Sequence, residues 1–126
     1  MLLDTHVLIW LLYEPKKLST DCLDKISQAD AVYVSMISLW EIAIKHRLSK
    51  LPYNPEEVLA NYEKAGLAKL QLREEHIREY SRISSDHKDP FDRMLLAQTK
   101  SENYTFLTAD TAIIDLNLPF VLDTRV

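Results

Sequence analysis

Apolar residues along this chain fall in short blocks, and most blocks stop at a polar residue able to start a helix. Leu2-Leu3 is a brief apolar run ending at Asp4, and it reads as a buried strand. Residues 6–13 are apolar and read as a helix closed by Glu14-Pro15, because a residue before proline avoids the α region. Ser19 is expected to cap a helix running to about residue 28, with Cys22, Leu23 and Ile26 on one face. Residues 31–35 are rich in strand formers. Ser38 is expected to cap a helix from Leu39 to about Arg47, and Pro52 and Pro55 frame a loop before a helix over residues 55–64. Residues 67–72 suit an edge strand, residues 74–83 a helix, and residues 84–89 a polar loop. Pro90 opens a helix to about residue 101, since proline is favoured at the first helical position. A strand over 104–107, a short helical turn capped by Asp110 and a last strand over 119–122 complete the chain. Strands thus alternate with helices. That order predicts an α/β fold, with a mainly parallel sheet covered by helices on both faces.

Composition narrows this picture. At 126 residues the chain suffices for one domain with one core, here expected to span 1–126, and no repeat or linker divides it. The longest apolar stretch, residues 7–13, is far short of the roughly 20 residues that cross a membrane, and Met1-Leu2-Leu3-Asp4 lacks the basic start of a secretion signal. Cys22 is the single cysteine, so no internal disulfide forms and a reducing cytoplasm is expected. The net charge of −4 argues against a broad basic nucleic-acid surface, although a bound cation reverses charge locally. Gly66 is the only glycine, which excludes Gly-rich phosphate cradles. Any phosphate must then be held by metal, side chains or helix N-termini.

The acids carry the chemistry. Asp4 and Asp110 sit where strands are expected to stop, and Glu41 and Asp92 lie in the first turns of apolar helices. Each has a structural explanation. Asp4, Asp89 and Asp110 suit helix N-caps, Ser38-x-x-Glu41 suits a capping box, and Asp92 suits the helix dipole. As a set they differ, because strand ends in an open α/β sheet meet at one crevice. Carboxylates gathered there repel each other unless cations join them, which points to a divalent-metal site and phosphate chemistry.

The same residues carry a family likeness over nearly the whole chain. Leu2-Leu3-Asp4-Thr5-His6, Ser38-Leu39-Trp40-Glu41, Asp89-Pro90-Phe91-Asp92-Arg93 and Leu107-Thr108-Ala109-Asp110, in that order, resemble the motifs of PIN-domain ribonucleases, specifically VapC-type toxins of prokaryotic toxin–antitoxin pairs. The resemblance implies a three-layer α/β/α sandwich and a single PIN-like nuclease domain. It implies a metal-dependent endoribonuclease that hydrolyses RNA phosphodiester bonds, with Mg²⁺ or Mn²⁺ as cofactor. Asp4, Glu41, Asp92 and Asp110 form the implied catalytic and metal-binding quartet, with Asp4 and Asp92 as the most direct ligands. The implied partners are an RNA substrate, a cognate antitoxin and a second copy in a homodimer.

Among neighbouring residues, Arg93, Lys45 and Thr108 are candidates for contacting substrate, with Thr108 also able to hold a carboxylate or water. Lys45 belongs to a basic cluster with His46, Arg47 and Lys50, and Lys88 and Arg93 flank the acid site; Asp86 and Asp89 lie nearby, but the resemblance favours Asp92 over both. His6 reads first as a packing or solvated residue and second as one lining the crevice, and His87 reads as exposed. Tyr13, Trp40 and Tyr53 are core residues or base-stacking platforms. The alternatives are a non-catalytic PIN-fold RNA- or protein-binding module, in which the acids serve only as caps, and a receiver-type phosphoacceptor. The latter lacks its acid pair after the first strand and its late lysine.

Overall fold

A computed structural model describes residues 1–83, 87 and 89–126. Among these, five strands form one all-parallel sheet in the order β3-β2-β1-β4-β5. They are β1 (Leu2–Leu3), β2 (Tyr33–Ser35), β3 (Ala68–Leu70), β4 (Phe106–Thr108) and β5 (Val121–Asp123). The helices between them are α1 (Thr5–Tyr13), α2 (Thr20–Gln28), α3 (Met36–Arg47), α4 (Pro55–Lys64), α5 (Glu74–Arg82), α6 (Pro90–Glu102) and α7 (Thr111–Ile114). A 3₁₀ turn, Pro15–Lys17, follows α1. The expected strand–helix alternation and α/β/α layering are both present.

The central strands β1 and β4 are buried throughout, whereas the edge strands β3 and β5 are only partly covered. Successive side chains of a strand point to opposite faces. Leu3, Val34 and Leu107 accordingly join α1, α2 and α4 in one core, which includes Leu8, Cys22, Val58 and Tyr62. Leu2 and Phe106 turn the other way, joining Leu70 of β3 in a second core with Leu95 and Leu96 of α6 and Ile113 of α7. The register keeps both sets aligned, pairing Leu2 with Phe106 and Leu3 with Leu107.

Local chemistry explains most boundaries. Ser19 Oγ accepts from Cys22 N at 3.1 Å and starts α2, while Pro55 and Pro90 open α4 and α6. One boundary differs from expectation. Ser35, rather than Ser38, caps α3, accepting from Ile37 N at 3.0 Å. Its hydroxyl also donates to Gln98 Oε1 of α6 at 2.6 Å, so a contact 63 residues away selects the cap. Ser38 lies inside the helix and is buried, and no capping box links it to Glu41. Of the expected polar loop, residues 84–86 and 88, including Asp86 and Lys88, lie outside the described residues.

The strand order is what positions a site. From central β1 the chain first builds outward through β2 and β3, then returns to the opposite side for β4 and β5. The order reverses between β1 and β4, and a crevice opens there beyond the carboxyl ends of these two strands.

Candidate active site

Asp4 stands at the end of β1 and caps α1, and its carboxylate is held on both oxygens. Oδ1 accepts from Thr5 N at 2.8 Å and Oδ2 from Thr108 Oγ1 at 2.6 Å. Thr108 is the last residue of β4, and its Oγ1 also accepts from Asp110 N at 3.0 Å. One buried hydroxyl thus ties the two strand ends across the switch point. Asp110 caps α7 through Ala112 N at 2.9 Å, as its position suggested, yet it still faces the crevice. A cleft of about 210 Å³ there is lined by Asp4, His6, Trp10, Ala109 and Asp110.

Glu41 enters from α3. Residues three apart on a helix share a face, so the spacing of Ser38 and Glu41 aims both at α1. Thr5 Oγ1 donates to Glu41 Oε1 at 2.7 Å and lies 3.0 Å from Ser38 Oγ. Lys45, one turn further along α3, donates from Nζ to Glu41 Oε2 at 2.6 Å. Asp92 enters from the first turn of α6, two residues after Pro90. His87 Nε2 lies 2.8 Å from Asp92 Oδ2, and one ligand atom each from His87, Asp92 and Asp110 lies within 4.8 Å of the other two. Among the described residues, Asp4 and Glu41 lie outside that tight triplet.

The electrostatics follow from this crowding. Asp4 is only 4% exposed and Glu41 3% exposed. Burial, assisted by the field of Glu41, pushes the Asp4 carboxyl above its ordinary range, against the bonds from Thr108 and Thr5 that favour its charge. Asp92 is pushed up to about 7, first by burial and then by the charges of Asp4, Asp89 and Glu41, while His87 opposes the shift. Burial works against the charge on Lys45, but the bond to Glu41 and the fields of Glu41, Asp89 and Asp92 outweigh it and raise its pKa. Three carboxyl groups therefore feel one another through a poorly solvated crevice, and a lysine answers part of their charge. Oxygen donors in excess, with one imidazole, form a donor set that fits a hard to borderline divalent cation.

The other candidates occupy less central places. Arg93 donates from Nη2 to the carbonyls of Ile83 at 2.7 Å and Tyr80 at 3.1 Å, and its guanidinium lies 5.1 Å from the Tyr80 ring centroid. These contacts hold the end of α5 against α6. Asp89 caps α6, accepting from Phe91 N at 2.9 Å and Asp92 N at 3.1 Å. His46 Nδ1 meets the Leu51 carbonyl, whereas Arg47 and Lys50 are exposed. Tyr13 and Tyr53 stack on each other at 4.9 Å, but Trp40 is 59% exposed with its edge against Phe91. Leu8 is core, and Trp10, Leu11 and Leu12 pack partly buried beside it. His6 is exposed and lines the cleft.

Sequence reasoning missed three participants. His87 was expected in solvent, yet its side chain is only 13% exposed against Asp92. Its position just ahead of the α6 cap is the signal that places it near the helix start. Thr5 and Ser38 tie Glu41 to α1, and the Ser38-to-Glu41 spacing holds that information equally well as a shared helix face.

Among the described residues, no helix is long and apolar enough to cross a membrane. Solved structures share this fold, among them the following three. The first, from Rickettsia felis, is VapBC2 bound to a DNA fragment from their promoter, with a TM-score of 0.71 at 14% identity over 98% of this chain and 98% of that one. DNA-bound VapBC from Salmonella typhimurium gives 0.69 at 17% identity over 97% and 96%. A toxin–antitoxin complex from Klebsiella pneumoniae gives 0.67 at 15% identity over 96% and 94%. No curated protein matches in sequence. The family model of the PIN domain matches residues 1–117, which takes in both strand ends, the first turns of α3 and α6, and the crevice they enclose. The chain belongs to the PIN domain family.

Proposed function

We propose that this chain is a divalent-metal-dependent endoribonuclease, a single nuclease domain over 1–126 that acts as the toxin of a toxin–antitoxin pair. The observation that carries the reading is the meeting of Asp4, Glu41, Asp92 and Asp110 from four separate elements at the β1–β4 switch point. Caps alone do not account for it. Glu41 caps nothing, and although Lys45 answers its charge, buried Asp4 has hydroxyl and backbone donors but no ion pair among the described residues. The likeness to chains in three toxin–antitoxin complexes supports the biological role.

In this reading Asp4, Asp92, Asp110 and Glu41 hold Mg²⁺ or Mn²⁺, directly or through water. When bound, the metal supplies an activated water and neutralises charge on the phosphate. Thr108 fixes the Asp4 carboxylate by its hydroxyl and the Asp110 backbone by its oxygen, so two ligands keep one spacing. Lys45 balances Glu41 and stands ready for a phosphate oxygen, and exposed Trp40 offers a face for an unpaired base. Arg93 acts on substrate only indirectly, by fixing the start of α6. The antitoxin is expected to set a basic side chain among the acids in place of the cation, and the toxin is expected to pair as a homodimer.

The deciding experiment incubates purified, antitoxin-free protein with structured RNA in Mg²⁺, in Mn²⁺ and in chelator. Cleavage is expected with either ion and not in chelator. Asp4→Ala and Asp92→Asn are expected to lose at least about 100-fold in rate while keeping the native circular-dichroism spectrum. Protein that binds RNA tightly but never cuts it under any of these conditions is a binding module, and the nuclease reading is then wrong.

A further inference from the structure

An imidazole, that of His87, stands against the acids of the crevice. His87 stands ahead of α6, Asp92 lies in the first turn of that helix, and Asp110 follows β4, so the triplet joins three separate places in the chain. Its ligand atoms already lie near the spacing of a coordination sphere. Around an octahedral ion with bonds of about 2.1 Å, neighbouring ligands are about 3.0 Å apart and opposite ones about 4.2 Å. The His87–Asp92 separation of 2.8 Å suits a neighbouring pair, and the 4.8 Å limit on the whole triplet leaves only small adjustments.

We propose that His87 is a direct nitrogen ligand of the cation in this crevice, and that it biases the site towards Mn²⁺ over Mg²⁺. The proposal deepens the metal-site reading above and rests on it. Mg²⁺ favours oxygen donors, keeps several waters and gains little from an imidazole, whereas Mn²⁺, although the weakest binder of its series, accepts an imidazole nitrogen more readily than Mg²⁺ does. An all-carboxylate crevice discriminates weakly between the two ions. Replacing one water by a nitrogen adds bond strength for Mn²⁺ and little for Mg²⁺. The ring is partly buried at this place, which lowers the entropy lost in fixing it on the ion. To ligate through Nε2, the ring carries its proton on Nδ1, and the contact now made to Asp92 Oδ2 is replaced by a shared cation.

The test compares the full chain with His87→Gln and Asp92→Asn by calorimetric titration with MnCl₂ and with MgCl₂. Pulsed electron paramagnetic resonance of the Mn²⁺ complex gives a direct readout of ¹⁴N coupling. Melting curves without metal establish that each variant is folded. His87→Gln is expected to weaken Mn²⁺ binding by about tenfold or more and Mg²⁺ binding by less than about threefold. The ¹⁴N coupling is expected in wild type and absent in His87→Gln. Equal loss for both ions, no loss for either, or a wild-type complex without ¹⁴N coupling overturns the proposal and leaves His87 as a brace for Asp92. The Asp92→Asn arm separates the two levels. If that variant binds Mn²⁺ as well as wild type does, the crevice is not the metal site, and the nuclease reading fails independently of His87.

Discussion

At the scale of single residues, burial and the charge of neighbouring acids keep Asp4 and Asp92 from ionising easily. Asp92 shows the consequence most directly. Its carboxyl has an ordinary pKa near 3.8 and is pushed up to about 7 in the fold, chiefly by burial. Between those values the folded protein retains a proton that the unfolded chain has lost, so the group lowers stability as pH rises through that window. The penalty is complete above about 7 and absent below about 4. In chelator at pH 8, Asp92→Asn is therefore expected to melt above wild type, with a gain on the order of 1–2 kcal/mol, or roughly 5 °C in a chain of this size. The gap is expected to close as the pH is lowered to about 4. A variant that melts at or below wild type at pH 8 would mean that other contacts of Asp92, the bond to His87 first among them, outweigh its strain.

At the scale of elements, the helices are held in place by polar contacts as well as by the two cores. One buried chain of hydrogen bonds crosses from β2 to α5 and α6. Ser35 donates to Gln98 Oε1 at 2.6 Å, and Gln98 Nε2 lies 3.2 Å from His76 Nδ1. Arg73 N donates to that same nitrogen at 3.1 Å, so the ring proton sits on Nε2 and is given to Glu102 Oε1 at 3.0 Å. His76 is fully buried. His76→Leu keeps an apolar side chain in the space but strips acceptors and donors from three partners, with an expected cost of about 2–4 kcal/mol. Urea unfolding is the check, and an unchanged slope with a lowered midpoint is the expected form. This network also explains why α3 starts at Ser35. Both Ser35 and Ser38 can cap a helix, and the partner on α6 decides between them.

At the scale of the whole molecule, the fold converts sequence order into one acidic edge. A chain of net charge −4 gathers buried acids at the point where its sheet reverses direction, where a bound cation would add to stability. In the proposed site a divalent ion binds only the folded state and so raises its stability. At a concentration 100 times the dissociation constant, the gain is about 2.7 kcal/mol. Melting temperature is expected to climb with added Mn²⁺ in the wild type and to stay flat in Asp4→Ala. A flat response in the wild type counts against any metal in the crevice.

What the amino-acid sequence determined by itself is the set of elements and the identity of the acids. Helix starts at Ser19, Pro55 and Pro90 were legible because caps and proline act within three or four residues of themselves. Alternating helices and apolar strands were enough for a parallel sheet, and the four acidic motifs were visible as a pattern. The tertiary structure alone decided which side chains meet. It chose Ser35 over Ser38 as a cap, joined Asp4 to Thr108 across 104 residues and turned Arg93 towards the end of α5. Those outcomes depend on contacts between separate elements, on burial and on the field of neighbouring charges. None of these leaves a mark in the few residues on either side of the side chain concerned.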